Sequence, residues 1–240
     1  MPVTGSEIKP YVRDGIVVGV AVGVFAIGFG VLAVSSGLSV AQTMAMSLLV
    51  FTGASQFAAV GVIGAGGSPA TAIGSALLLA ARNGLYGMTM SRHIEGSVWK
   101  RGLAAHLTID ESTALGTSQD DPADIAHAFW AGGISVFVFW NIGTLIGAVG
   151  GQAIGDPNAL GLDAAFPAGF ISLAAGSLRT RAGRVAAASG LAIALVAVPF
   201  TRAGIPILLA AGGAVVALAF AGPAFAQAPD STQKDRPEPS

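Results

Sequence analysis

Apolar residues in this chain fall into blocks of bilayer length, separated by short polar or charged stretches. At about 20 residues per crossing, the pattern predicts helices at roughly 15–35, 43–65, 68–90, 125–150, 162–178, 185–200 and 204–221. The last two are short and flank Pro199-Phe-Thr-Arg-Ala-Gly-Ile-Pro206, which fits either two tilted crossings or one interrupted hairpin. Residues 1–14 carry Glu7, Lys9, Arg13 and Asp14, and no small-x-small cleavage signature follows them, so the first helix reads as retained and not as a signal peptide. The tail over 222–240 is rich in Pro, Gln, Asp and Ser and has no apolar period, which predicts disorder. The expected fold is therefore all-α: a polytopic membrane bundle of six to seven segments. Two halves, 15–90 and 125–221, are joined by a polar loop over 91–124.

Composition strengthens the membrane reading. Of the 240 residues, 53% are hydrophobic and 10% charged, far from the balance of a soluble domain. A net charge of −1 offers no nucleic-acid surface. The absence of cysteine excludes disulfides and thiolate metal sites. The three histidines, at 93, 106 and 127, lack metal-ligand spacing, and there is neither a nucleophile elbow nor a phosphate-binding loop. No enzyme chemistry, metal or cofactor is expected.

What changes the picture is polarity inside the apolar blocks. Phe51-Thr-Gly-Ala-Ser-Gln-Phe57 interrupts the second block near its middle. Unpaired polar groups cost several kcal/mol in hydrocarbon, so Thr52, Ser55 and Gln56 must face protein, water or a ligand. Arg82 lies two-thirds along the third block, beside Asn83 and one turn before Tyr86. An arginine at that depth is either functional or snorkels to the interface. Asn141, beside Trp140, suits an interhelical hydrogen bond. Asp163, in Leu160-Gly-Leu-Asp-Ala-Ala-Phe-Pro-Ala168, either caps a helix or titrates during transport. Thr52–Gln56 and Gly161–Pro167 thus form one interruption in each half, the pattern that points to a transporter's binding site in a three-plus-three inverted repeat. Backbone N–H groups at a broken helix start would suit an anionic group such as an amino-acid carboxylate.

Two further patterns bear on architecture. Gly15, Gly19 and Gly23, and likewise Gly143, Gly147 and Gly151, recur every four residues, as close helix packing requires. Arg92, Lys100 and Arg101 mark a cytoplasmic loop, and so do Arg179, Arg181 and Arg184. Three full crossings before residue 92 would put the amino terminus outside, against the weak inward preference of Lys9 and Arg13. A re-entrant second segment removes that conflict. Within the loop, Val98–Leu107 predicts a short amphipathic helix with Trp99 at the interface. The acidic residues Asp110, Glu111, Asp120, Asp121 and Asp124 read as a solvated connector.

These motifs resemble the AzlC family, the large subunit of branched-chain amino acid exporters, from about Gly15 to Gly222. The carrying residues are Ile27-Gly-Phe-Gly30, Met46-Ser47, the run Phe51–Phe57, the Arg82–Tyr86 stretch, Leu107-Thr-Ile-Asp-Glu111 and Gly161–Pro167. The run Gly-Ala-Ser-Gln-Phe is the specific one. Ala80 and Asn83 stand where the family usually has asparagine and histidine. The resemblance implies a multi-pass protein of the cytoplasmic membrane, exporting branched-chain or similar apolar amino acids with a small AzlD-type membrane subunit and coupled to protons. It implies substrate contact by Thr52, Gly53, Ser55, Gln56 and Asp163, an apolar pocket from Phe51, Phe57 and Phe166, and coupling or gating by Arg82, Tyr86, Asp110, Glu111 and Asn141. A passive channel for small solutes and a non-transporting assembly subunit share the same sequence features.

Overall fold

The computed structural model describes residues 8–154, 171 and 174–221. Among these every regular element is helical. Two compact units divide the chain, at Phe170 and Ile171.

In the first unit, α1 (Pro10–Ser35) and α7 (Pro122–Ile154) lie side by side and run in the same direction. The glycine stripes explain the contact. A Cβ on Gly15 would meet Ala131, on Gly19 Ser135, and on Gly23 Phe139, while Cβ atoms on Gly143 and Gly147 would strike the Gly23 and Ile27 carbonyls. The two stripes predicted from spacing therefore face each other, and backbone approaches backbone because neither side has a side chain there. Lys9 pairs with Asp124 at 3.6 Å, which fixes the starts of both helices at one face.

The second apolar block does not cross. It is broken into α2 (Val40–Val50) and α3 (Ala54–Gly64), each 11 residues and so about 16 Å long, half of a bilayer core. Ser39 caps α2 by accepting from the Gln42 amide, and the Gln42 side chain caps Ser39 in return. The chain then turns at Phe51–Gly53, where Gly53 has a φ of 45°, a region that glycine reaches at least cost. α3 retraces α2: Ile63 and Gly67 share a cavity wall with Gln42 and Met46, and Gly64 sits against Ser36. The segment is thus a re-entrant hairpin that opens and closes on the face where α1 ends.

From that face α4 (Pro69–Met90) runs back. At 22 residues it has the length of a crossing, about 33 Å, although Arg82 and Asn83 dilute its hydropathy. The stretch expected as a polar connector is then largely folded. α5 (Val98–His106) matches the predicted amphipathic helix, with Trp99 89% exposed, and α6 (Asp110–Thr117) follows after a turn. Leu107, Thr108 and Ile109 at that turn are buried, with Leu107 packed beside Gly133 in the body of α7. α6 returns to the start of α7, where Gly116 meets Ile125 and Phe129, and Met90 at the end of α4. The connector reading fails where Leu107, Thr108 and Ile109 are apolar enough to bury and Asp110 finds a cation, while Asp120 and Asp121 are exposed as it expects. Residues 98–117 make a second hairpin, entering from the opposite face.

The amino terminus and the Arg92–Arg101 loop therefore share one face, and the topological conflict in the charge pattern disappears. α1 and α7 are long and apolar enough to cross a bilayer. Their outward rows, such as Val17, Val20 and Val24 or Ile134, Val138 and Ile142, are exposed, as lipid contact requires.

The second unit contains α8 (Arg181–Ala197), α9 (Ile205–Ala210) and α10 (Gly212–Ala221). Thr180 caps α8 by accepting from the Gly183 amide at 2.9 Å. A 3-10 turn through Pro199 and a left-handed Gly204 reverse the chain. Gly190 on α8 lies against Ala210 and Gly213, so α8 packs side by side with the helices that follow the turn. With its 3-10 extension to Phe200, α8 is also long and apolar enough to span a bilayer.

Candidate functional site

The two hairpin tips meet midway along α1 and α7. Phe51, at the first tip, stacks against His106, at the second, with ring centroids 5.9 Å apart. Both rest on Phe137 of α7, at 5.0 and 5.7 Å. Phe57 packs on Phe25, Phe29 and Trp140. Phe51 and Phe57 thus belong to the central core.

At the first tip, polar groups divide into those that hold the break and those left over. The Gln56 side chain accepts from the Gly53 amide at 3.1 Å and donates to the Met46 carbonyl at 3.0 Å. Fully buried, it ties α3 to α2 and satisfies backbone groups freed by the turn. Ser47 donates to Thr144 at 3.2 Å, pinning α2 to α7. By contrast Thr52 Oγ1, Ser55 Oγ and Trp140 Nε1 are buried with no partner, and Trp140 abuts Gly53. The Ala54 and Gln56 amides, in the first turn of α3, have no acceptor among the described residues. A helix start with free N–H groups carries a partial positive charge.

Beside this start lies a cavity of about 330 Å³ between three helices. Ser55, Ala59 and Ile63 face it from α3, Met46 and Val50 from α2, and Ala72, Ile73 and Ala76 from α4. The α3 and α2 positions recur every four residues, and Ala72 and Ile73 stand four and three before Ala76, so each helix turns one face to the space. Ser55 and Gln56 line the end nearest the break, but their polar atoms are shielded from the space, so the exposed walls are apolar throughout.

The second tip is ionic. The Arg82 guanidinium bonds Asp110 at 2.6 Å, and the Tyr86 hydroxyl faces the same carboxylate. Glu111 lies half-buried next to them. Arg82 therefore neither snorkels freely nor stands alone; it ties α4 to the start of α6. Ser112 accepts from the Ile109 amide at 3.1 Å and donates to the Leu107 carbonyl at 2.7 Å, the counterpart of Gln56 at the other break. Breaking the pair should loosen the hairpin. Asp110→Asn and Arg82→Gln are each expected to lower membrane accumulation and thermal stability, and the swap Arg82→Asp/Asp110→Arg to recover part of the loss. A double-mutant cycle should give a coupling of about 0.5–3 kcal/mol; strict additivity of the single variants would refute the pairing.

Asn141 differs from expectation. Its amide donates to the Phe137 carbonyl in its own helix at 2.7 Å, and Oδ1 is buried without a partner. The bond is intrahelical because the neighbouring turn supplies a nearer acceptor than any facing helix. Asp163, Phe166 and the interruption Gly161–Pro167 lie outside the described residues. Sequence reasoning passed over His106, Ser112 and the alanines of α4. The available signal was the uncharged run Leu107-Thr-Ile109 between two charged clusters, too short for a crossing.

The model of the family described as AzlC protein matches residues 17–154. The chain belongs to the AzlC family. The match ends where α7 ends, so it encloses both hairpins. Similar curated proteins include an uncharacterized membrane protein of Helicobacter pylori strain ATCC 700392 / 26695, 28% identical over 126 residues, which is 52% of this chain and 55% of that one. Its counterpart in strain J99 is 27% identical over the same shares. The chain thus spans about half the length of the curated relatives it matches. No solved structure matches it. This AzlC protein is a membrane protein built as a helical bundle.

Proposed function

We propose that this AzlC protein is a secondary exporter of branched-chain or similar apolar amino acids in the cytoplasmic membrane. It works with a small AzlD-type membrane subunit and couples export to the proton gradient. The observation that carries the reading is the start of α3: a half-helix beginning at mid-depth, with unpaired first-turn amides and the buried, partnerless Ser55 hydroxyl, opening beside an apolar cavity. Half-helix starts near the bilayer midplane are where transporters hold anionic substrate groups. Thr52, Gly53 and Ser55 would meet the carboxylate, and Gln56 would act by holding the break open. Asp163 and Phe166 would complete the substrate path. Asp110 and Glu111 on the second hairpin lie beside Arg82 of α4, and ionisable groups at depth are the usual carriers of protons. Tyr86 would report the state of that cluster, and Asn141 would gate from α7. Lys9, Arg13, Arg92, Lys100 and Arg101 share a face, which the positive-inside rule makes cytoplasmic.

The test is counterflow of radiolabelled leucine, isoleucine and valine in proteoliposomes, with and without the small subunit and an imposed proton gradient. Concentrative flux that collapses with the gradient is expected. Flux that only equilibrates would make the protein a passive channel, and binding of the subunit without flux would make it an assembly component.

A further inference from the structure

The loop from α4 to α5 and the first turn of α5 hold charge and apolar surface side by side, without a protein partner for either. Arg92, Lys100 and Arg101 are exposed, and none has a carboxylate within 4.0 Å among the described residues. Glu95, exposed in the same loop, pairs with none of them, nor do the exposed Asp120 and Asp121 at the end of the hairpin. The other two cations of this face are already neutralised, Lys9 by Asp124 and Arg13 by Asp14. Beside the free cations, Trp99 is 89% exposed and Val98 85%, the two most exposed large apolar side chains among the described residues.

The shape of α5 leaves them bare. Ser97 caps the helix by accepting from the Lys100 amide at 3.4 Å, and the Lys100 stem folds back over Gly96, where a Cβ would lie 2.8 Å from Lys100 Cδ. Only Ala104 of α5 is buried. Yet its last residue, His106, reaches Phe51 and Phe137 at the contact between the tips. Packing within the first unit thus does little to steady the outer end of this helix.

We propose that residues 92–101 form a docking surface for an anionic phospholipid, which holds the outer end of the second hairpin in place. Its headgroup charge meets Arg92, Lys100 and Arg101, while Trp99 and Val98 enter the boundary with its acyl chains. A soluble anion would satisfy the cations and leave both apolar side chains in water. An anionic lipid supplies both partners at the depth where a helix enters a bilayer. The assignment does not depend on which solute the protein carries.

The full chain is reconstituted in phosphatidylcholine vesicles containing either dibrominated phosphatidylglycerol or dibrominated phosphatidylcholine. Quenching at residue 99 is the difference between wild type and Trp99→Phe. The anionic lipid should outcompete the zwitterionic one there by about fivefold or more, the ratio that one basic residue near an anionic surface carries. That preference should fall to within about twofold in Arg92→Gln/Lys100→Gln/Arg101→Gln. It should also fall as sodium chloride rises from about 0.1 M to about 1 M, which shortens the screening length from about 10 to about 3 Å. Thermal unfolding of wild type, but not of the triple variant, should move upward when phosphatidylglycerol is present; an unmoved wild type would overturn the bracing role. Equal quenching by the two lipids in wild type overturns the proposal whatever the variant does. So does a preference that survives the triple substitution, or an absence of quenching by both lipids, which would mean that protein covers Trp99. Loss of the preference in inorganic phosphate at matched ionic strength would make the loop a site for the free anion and overturn the lipid assignment.

Discussion

Gly147→Leu should all but abolish folded protein in the membrane. A Cβ at this position would overlap the Ile27 carbonyl of α1, with the Ile27 carbon 2.8 Å away. These are backbone atoms, so no rotamer change relieves the clash, and α1 must move off α7. Overpacking a core ordinarily costs about 1–3 kcal/mol and occasionally more. Here the upper end applies, because the displaced contact runs the length of both helices, and Gly143 and Gly151 would lose their approach with it. Gly150 is the control: a Cβ there meets nothing within 4 Å. Gly150→Ala should be neutral or slightly stabilising, by up to about 1 kcal/mol from helix propensity. Thermal unfolding in detergent and membrane accumulation are the readouts; near-identical melting of Gly147→Leu and wild type would refute the packing.

The second large effect is expected from Gln56→Leu. Leucine has similar bulk, so little volume is lost, but the Gly53 N–H is left without a partner and the Met46 carbonyl keeps only its bond within α2. The unsatisfied N–H costs about 1–3 kcal/mol and the lost bond to the carbonyl about 1 kcal/mol more. The first hairpin should then splay at its tip and export should fail. Gln56→Glu keeps the acceptor for Gly53 and loses the donor to Met46, so it should fall between. The natural chain has no cysteine, and a Thr52→Cys reporter therefore gives a clean accessibility signal. Thiol labelling at residue 52 should rise sharply in the Gln56→Leu background. Unchanged labelling together with unchanged transport would remove Gln56 from the hairpin's support.

Both results concern features that were readable at different depths. The two glycine stripes were legible because a four-residue repeat has one structural use in a membrane helix, close packing. Which stripe met which was not legible, since spacing carries no information about partners. The break at Phe51–Gly53 was likewise predicted from polarity, and the conflict between basic loops already pointed to a re-entrant segment. The substrate role assigned to Gln56 did not anticipate that both ends of its amide would be tied to backbone. Polarity in hydrocarbon demands a partner without saying whether that partner is ligand or chain.

The second hairpin was the larger surprise. Asp110 and Glu111 read as part of a solvated acidic connector because sequence windows weigh local charge. Arg82, 28 positions away, neutralises Asp110, and no local window contains that contact. Similarly the aliphatic walls of the cavity come from three helices, and no local pattern singles out the alanines on α4.

By itself, then, the sequence determined the membrane class, the helical fold, the interruption in the second block and the close-packing stripes. Each follows from the cost of exposing polar groups to lipid or from the period of a helix, and both are local. Only the tertiary structure decided that the hairpins enter from opposite faces and meet at Phe51, His106 and Phe137. It also decided that Ser55 is left unpaired while Gln56 is not. Those outcomes depend on which distant groups arrive within hydrogen-bonding distance, and that is settled by packing α1 against α7.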